Sequence, residues 1–168
     1  MSHVVLWELD DESTDREGKT SVIVAFRFVL EGLGSTDDDR VLFCAQTLEE
    51  RISGVEIDKS LGTHVRSLWN RSYDLLNPRA SLVRRHAGML VAKYVLDSKS
   101  RIEFLDAPND ATPMELVLRL LASPSNGRIL DKDRVDDLIA LIVRQFPLLS
   151  NPIRTVLSES RKGGRSSE

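Results

Sequence analysis

Helical periodicity is the feature of this chain that most limits its possible folds. Apolar residues recur at spacings of three and four over most of its length, as in helices that bury one face. In several places these stripes are separated by glycine or proline, which end helices. The pattern predicts five or six helices, over about 36–53, 61–76, 78–96, 113–122, 132–146 and 151–157.

Helix start signals support this assignment. Thr112, Pro113 and Glu115 have the order of a capping box with proline at the first helical position. Asp131 is placed to cap the following helix, and Asn77 is placed to cap a helix that begins at Pro78. Gly88 lies inside the helix predicted at 78–96, where it predicts a close crossing with another helix.

The N-terminal part of the chain shows a different period. Apolar residues occupy every second position from Val22 to Leu30, which is typical of a strand, and residues 4–9 form a second short apolar run. These two segments predict a small antiparallel β-hairpin, with a parallel arrangement as the alternative, and residues 101–105 could add a third strand. The predicted fold class is therefore α+β, predominantly helical.

Charge is segregated along the chain. Residues 59–101 contain nine basic and two acidic side chains, whereas residues 1–58 contain five basic and fourteen acidic ones, in a protein of net charge −3. A basic middle segment predicts a surface that binds an acidic partner. The alternative is that the acidic and basic segments neutralise each other within one fold.

Motifs that resemble catalytic sites fail on inspection. Gly18, Lys19 and Thr20 imitate the end of a phosphate-binding loop, but Ser13 stands where that loop needs its first glycine. Asp131 and Asp133 resemble the signature of haloacid-dehalogenase-type phosphatases, although no large α/β domain follows them. No histidine or cysteine spacing suggests a metal site. We therefore expect no enzymatic activity and no cofactor, and no motif indicates a small-molecule ligand.

Length and composition bound the remaining possibilities. A chain of 168 residues suits one domain, which we place at 1–157, followed by a flexible polar tail at 158–168. No apolar run is long enough for a membrane span, and the first ten residues lack the features of a secretory signal. The single cysteine, Cys44, agrees with a reducing compartment. The expected location is the cytoplasm.

Two functions remain open at this point. The first is a non-catalytic accessory subunit that docks through charged helical surfaces onto a larger protein. The alternative is binding of the nucleic-acid backbone by the basic helices of residues 59–101, with Trp69, Tyr73 and Tyr94 available to stack on bases. Either function would use the same candidate residues: Arg66, Arg71, Arg79, Arg84, Arg85 and Lys93.

Overall fold

Helices account for nearly all of the chain that can be described. The computed structural model describes residues 15–51, 62–97, 111–122 and 130–166. Within these ranges the helices are α1 (Asp15–Leu33), α2 (Asp38–Arg51), α3 (Gly62–Leu75), α4 (Leu82–Asp97), α5 (Pro113–Leu121), α6 (Lys132–Gln145) and α7 (Ser150–Ser166), with a 3-10 turn (Pro147–Leu149) before the last. The predicted dominance of helix is confirmed. None of the described helices combines the length and the apolar composition that crossing a membrane requires.

The predicted N-terminal β-hairpin is wrong. Residues 21–30 belong to α1, and none of the residues described above forms a strand. The α+β class is therefore replaced by a helical fold in the described part of the chain. The other two predicted strands, at 4–9 and 101–105, lie outside the described residues.

The composition of α1 explains the error. Ile23 and Ala25 stand between the alternating apolar residues, so the segment is almost continuously apolar and fits either period. Packing decides in favour of the helix, and Val24 on its outer side is 38% exposed. The residues that α1 buries follow the helical spacing: Val22, Ala25, Phe26, Val29 and Leu33.

Four helices form a closed ring in which each packs against two others, in the order α1, α2, α4, α3. Helix α4 also packs against α6, so it has neighbours on three sides and buries residues around most of its circumference. Helices α5 and α7 pack against each other beyond this ring. The basic residues Arg84, Arg85 and Lys93 all lie on α4.

Two glycines allow helices to approach closely. An ideal Cβ atom at Gly88 would lie 2.9 Å from the carbonyl oxygen of Ser72 and 3.0 Å from Cβ of Leu75, so α3 and α4 cross at this glycine. The close crossing predicted there is confirmed. A Cβ atom at Gly32 of α1 would overlap the sulfur of Cys44 on α2. Both crossings need a residue without a side chain.

The predicted helix starts have mixed outcomes. Thr112 and Glu115 form both hydrogen bonds of a capping box, and the Asp131 carboxylate accepts from two N–H groups at the start of α6, so both predictions are confirmed. The start predicted at Asn77 is wrong, because α4 begins at Leu82 and the Ser81 hydroxyl accepts from the Arg84 N–H at 3.2 Å.

Helix α7 continues to Ser166, past the predicted end at 157.

The free energy of unfolding should fall as the pH drops below about 6.5, the ordinary pKa of histidine. Burial and the nearby Arg27 lower the pKa of His64, whose Nδ1 is buried without a hydrogen-bond partner and whose ring stacks on Phe26. Between the ordinary and the lowered pKa the unfolded chain binds a proton that the folded chain does not, so acid favours unfolding. Urea unfolding above and below this pH measures the effect.

The variant His64→Phe keeps the ring stacking and removes the titration. It should therefore reduce the pH dependence, and part should remain because burial and Arg134 also lower the pKa of His86. An unchanged dependence in His64→Phe would contradict this assignment.

Candidate functional site

Three of the predicted binding residues line one cleft. It has a volume of about 360 Å³ and lies where the C-terminal ends of α1 and α3 meet the turn before α4. We call it the basic cleft, and its lining residues are Leu33, Gly34, Arg71, Asp74, Leu75, Asn77, Arg79, Ala80 and Arg84. Three guanidinium groups and one carboxylate therefore border a space of small-molecule or peptide size.

The turn between α3 and α4 fixes the position of Arg79. The side-chain oxygen of Asn77 accepts a hydrogen bond from the Arg79 N–H at 3.0 Å, and its carbonyl oxygen accepts from the Ala80 N–H at 2.9 Å. Asparagine commonly stabilises a turn in this way. Arg79 is consequently an exposed side chain on an ordered backbone.

Arg84 is held in place by two residues that follow α1 in the chain. Its Nε lies 2.7 Å from Oδ1 of Asp38, and its Nη2 donates to the carbonyl oxygen of Ser35. Hydrogen bonds from Ser81 and from Arg84 lower the pKa of Asp38 against the opposing effect of burial. An acid of the N-terminal segment thus neutralises one cation of the basic segment, as the internal-neutralisation alternative expects.

Arg71 and Arg79 differ from Arg84 in their partners. Neither side chain forms an ion pair with any other residue that the structure describes. Asp74, one helical turn beyond Arg71, is the acid that lines the same cleft. The cleft therefore presents two guanidinium groups that form no ion pair with a described residue, beside a third that is fixed in place.

Arg85 has a different environment. Its side chain is only 2% exposed, and it donates to the carbonyl oxygens of Leu76 at 3.3 Å and Arg119 at 2.8 Å. Burial lowers the pKa of this guanidinium. Leu76 and Arg119 lie near the C-terminal ends of α3 and α5, where carbonyl groups lack helical partners. Arg85 joins these two helix ends inside the protein and presents no surface to a partner.

Arg119 continues this connection. Its Nη1 donates to the carbonyl oxygen of Tyr73 at 3.0 Å, and its guanidinium carbon lies 3.8 Å from the centre of the Tyr73 ring. Two arginines therefore link α3, α4 and α5 through backbone carbonyls and an aromatic ring. Neither link is visible in the linear sequence.

The last two predicted residues lie outside the basic cleft. Arg66 is half-buried on α3, and Lys93 is exposed on α4. Lys93 lines a second depression of about 330 Å³ between α4 and α6, which we call the α4–α6 groove. The six candidates are thus divided between a cleft, a groove, the interior and a helix side.

The aromatic residues are placed for packing. Trp69 is fully buried, and its indole N–H donates to the carbonyl oxygen of Ala111 at 2.6 Å. Tyr94 packs edge-to-face on Phe26, and burial raises the pKa of its hydroxyl. One face of the Tyr73 ring is covered by Arg119. These contacts occupy the rings that base stacking would require.

Sequence analysis missed the residues that frame the basic cleft. Ser35 and Asp38 come from the turn and first helical turn after α1, and Ser81 comes from the turn before α4. The acids at 37–39 suit a helix start, where negative charge is favourable, so their type needs no distant partner to explain it. No local pattern indicates which cation an acidic residue will meet forty-six positions away.

Several chemistries find no support in the described ranges. Cys44 is buried, and burial raises the pKa of its thiol, which disfavours a reactive thiolate. Over the residues that are described, no group of three or more histidine, cysteine, aspartate or glutamate side chains is placed to hold a metal ion. No protein-family model matches the chain, and no curated protein or solved structure is significantly similar to it.

Proposed function

We propose that this chain is a non-catalytic interaction module of the cytoplasm, which binds an acidic segment of a larger protein in the basic cleft. The observation that carries the proposal is the pair Arg71 and Arg79, which form no ion pair with a described residue and line a cleft of about 360 Å³. Carboxylates are the matching ligand, because guanidinium groups bind them in a planar, bidentate geometry.

The third arginine contributes rigidity. Arg84 is fixed by Asp38 and Ser35, so one of the three arginines that line the cleft is ordered before a partner arrives. A preformed site loses less conformational entropy on binding than a mobile one. An acidic segment that binds in the cleft would therefore meet at least one arginine side chain that is already ordered.

Nucleic-acid binding is the second candidate, and the same two arginines could contact phosphates. Trp69, Tyr73 and Tyr94 make packing contacts within the protein, so a nucleic acid could be held only through its phosphates. This favours the protein partner. Arg85 adds nothing to either surface, since it is buried.

The double variant Arg71→Glu/Arg79→Glu tests the proposal. Fluorescence anisotropy would measure binding of a labelled oligoglutamate peptide and of a single-stranded oligonucleotide of similar charge at low salt. We expect the peptide to bind, and the variant to weaken that binding at least about tenfold, because two charge-assisted contacts become repulsive. The matched control is Arg144→Glu/Arg154→Glu, which makes the same charge change at exposed positions outside the cleft.

The outcomes separate the alternatives. Equal weakening by both double variants would show a net-charge effect and contradict a specific cleft. Tighter binding of the oligonucleotide than of the peptide, with a steep dependence on salt that lessens in Arg71→Glu/Arg79→Glu, would favour the nucleic-acid alternative.

A further inference from the structure

The α4–α6 groove shares no residue with the basic cleft. Its floor is apolar and its rim carries charge of both signs, within a volume at the lower end of the range for small-molecule sites. Met89 and Leu90 of α4 and Leu138 and Leu141 of α6 form the floor. An apolar floor with few charged groups suits a small ligand that has one apolar end and one polar end.

The two charges from α6 are arranged unusually. Arg134 and Asp137 are three residues apart on one helix, a spacing at which opposite charges normally pair. Here Arg134 donates to the ring of His86 instead, with Nη1 3.0 Å from Nδ1 and 2.5 Å from Nε2. Neither Arg134 nor Asp137 forms an ion pair with another residue in the described ranges. A positive and a negative group therefore lie on one side of the groove, and neither forms an ion pair with a described residue.

His86 acts as an acceptor in this arrangement. Burial and the adjacent Arg134 lower the pKa of His86, so its ring is neutral near pH 7. A neutral ring accepts one Arg134 N–H without neutralising the guanidinium charge. The remaining N–H groups of Arg134 are left to donate to a ligand.

We propose that the α4–α6 groove binds an apolar α-amino acid, with its carboxylate on Arg134, its ammonium group on Asp137 and its side chain on the leucine and methionine floor. The carboxylate and the ammonium group of an amino acid are separated by one carbon atom. They therefore match two opposite charges on adjacent turns of one helix face. Such a ligand supplies Arg134 and Asp137 with ion pairs that they do not form with other described residues.

Three compounds test this assignment by isothermal titration calorimetry: L-phenylalanine, L-phenylalaninamide without the carboxylate, and 3-phenylpropionate without the ammonium group. L-Phenylalanine should bind most tightly, and each compound that lacks one charge should bind about tenfold more weakly, because one charge-assisted hydrogen bond is lost. No saturable binding of L-phenylalanine at millimolar concentration would overturn the proposal, as would equal affinity for all three compounds.

Two variants test which residue binds each charged group of the ligand. Arg134→Gln should weaken L-phenylalanine and 3-phenylpropionate about tenfold and leave L-phenylalaninamide unchanged. Asp137→Asn should weaken L-phenylalanine and L-phenylalaninamide and leave 3-phenylpropionate unchanged. The matched controls are Arg144→Gln and Asp136→Asn, exposed residues of the same helix that do not line the groove.

All four substituted side chains are exposed, so the variants should fold, and a thermal melt checks this. Controls that weaken binding as much as Arg134→Gln and Asp137→Asn would overturn the assignment. Because the groove and the cleft share no residue, this result is independent of the oligoglutamate experiment.

Discussion

Replacing Arg85 with alanine should lower the free energy of unfolding by about 3 kcal/mol, because the change empties a buried site and removes a charged donor from two carbonyl groups. The guanidinium is 2% exposed and donates to the carbonyl oxygens of Leu76 and Arg119. Chemical denaturation monitored by circular dichroism measures the loss. The contacts join the ends of α3 and α5 to α4, so their removal should loosen three helices together.

The neighbouring arginine is the matched control. Arg84→Ala removes the same side chain one position earlier on α4, where it is 24% exposed and paired with Asp38. A partly exposed ion pair contributes little, so we expect a loss of about 0.5–1 kcal/mol. Similar losses for the two variants would contradict the distinction between a buried connector and a surface ion pair.

Gly88→Ala should lower the free energy of unfolding by about 2 kcal/mol, although alanine is intrinsically the better helix former by about 1 kcal/mol. The added methyl group would lie 2.9 Å from the Ser72 carbonyl oxygen and 3.0 Å from side-chain atoms of Leu75 and Leu76. A backbone oxygen cannot move without shifting α3, so α3 and α4 would have to separate. Thermal unfolding of the variant measures this cost.

Gly34→Ala tests whether the loss is specific to the crossing. A Cβ atom at Gly34 meets nothing nearer than the Glu31 carbonyl oxygen at 3.5 Å, an ordinary contact distance. We expect a change of less than about 0.5 kcal/mol, as is usual for exposed positions. A gain of stability in Gly88→Ala would show that the helices do not pack through this glycine.

Local signals in the sequence predicted the helix starts that depend only on neighbouring residues. The capping box at Thr112 and the cap at Asp131 use hydrogen bonds within three positions, and both occur as predicted. The cap predicted at Asn77 did not form, although its side chain also bonds to the backbone two positions away. Asn77 stabilises the turn itself, which leaves Ser81 to cap α4.

The segment 21–30 shows where periodicity fails. A run that is apolar at nearly every position fits a strand and a helix equally well, and β-branched residues added weight to the strand. The neighbours of the segment settle its structure, because α1 packs between α2 and α3. The contacts of α1 with α2 and α3 involve residues outside 21–30, so the sequence of this segment alone cannot show which structure forms.

The candidate site was predictable in part. Charge counting identified the segment that supplies Arg71, Arg79 and Arg84 to one cleft. It could not separate Arg84 from Arg85, which are adjacent in sequence and have opposite environments because consecutive helical residues point about 100° apart. The unpaired charges of Arg134 and Asp137 were also out of reach, since the sequence alone suggests that they pair.

The contact between Gly32 and Cys44 has a practical consequence. The sulfur is 1% exposed and seated against the backbone of α1, so thiol reagents cannot attack it while α1 and α2 remain together. Since Cys44 is the one cysteine of the chain, its alkylation rate under native conditions would report how often these two helices part. Cys44 is thus a built-in reporter for the separation of α1 and α2, and mass spectrometry can follow its alkylation without any added label.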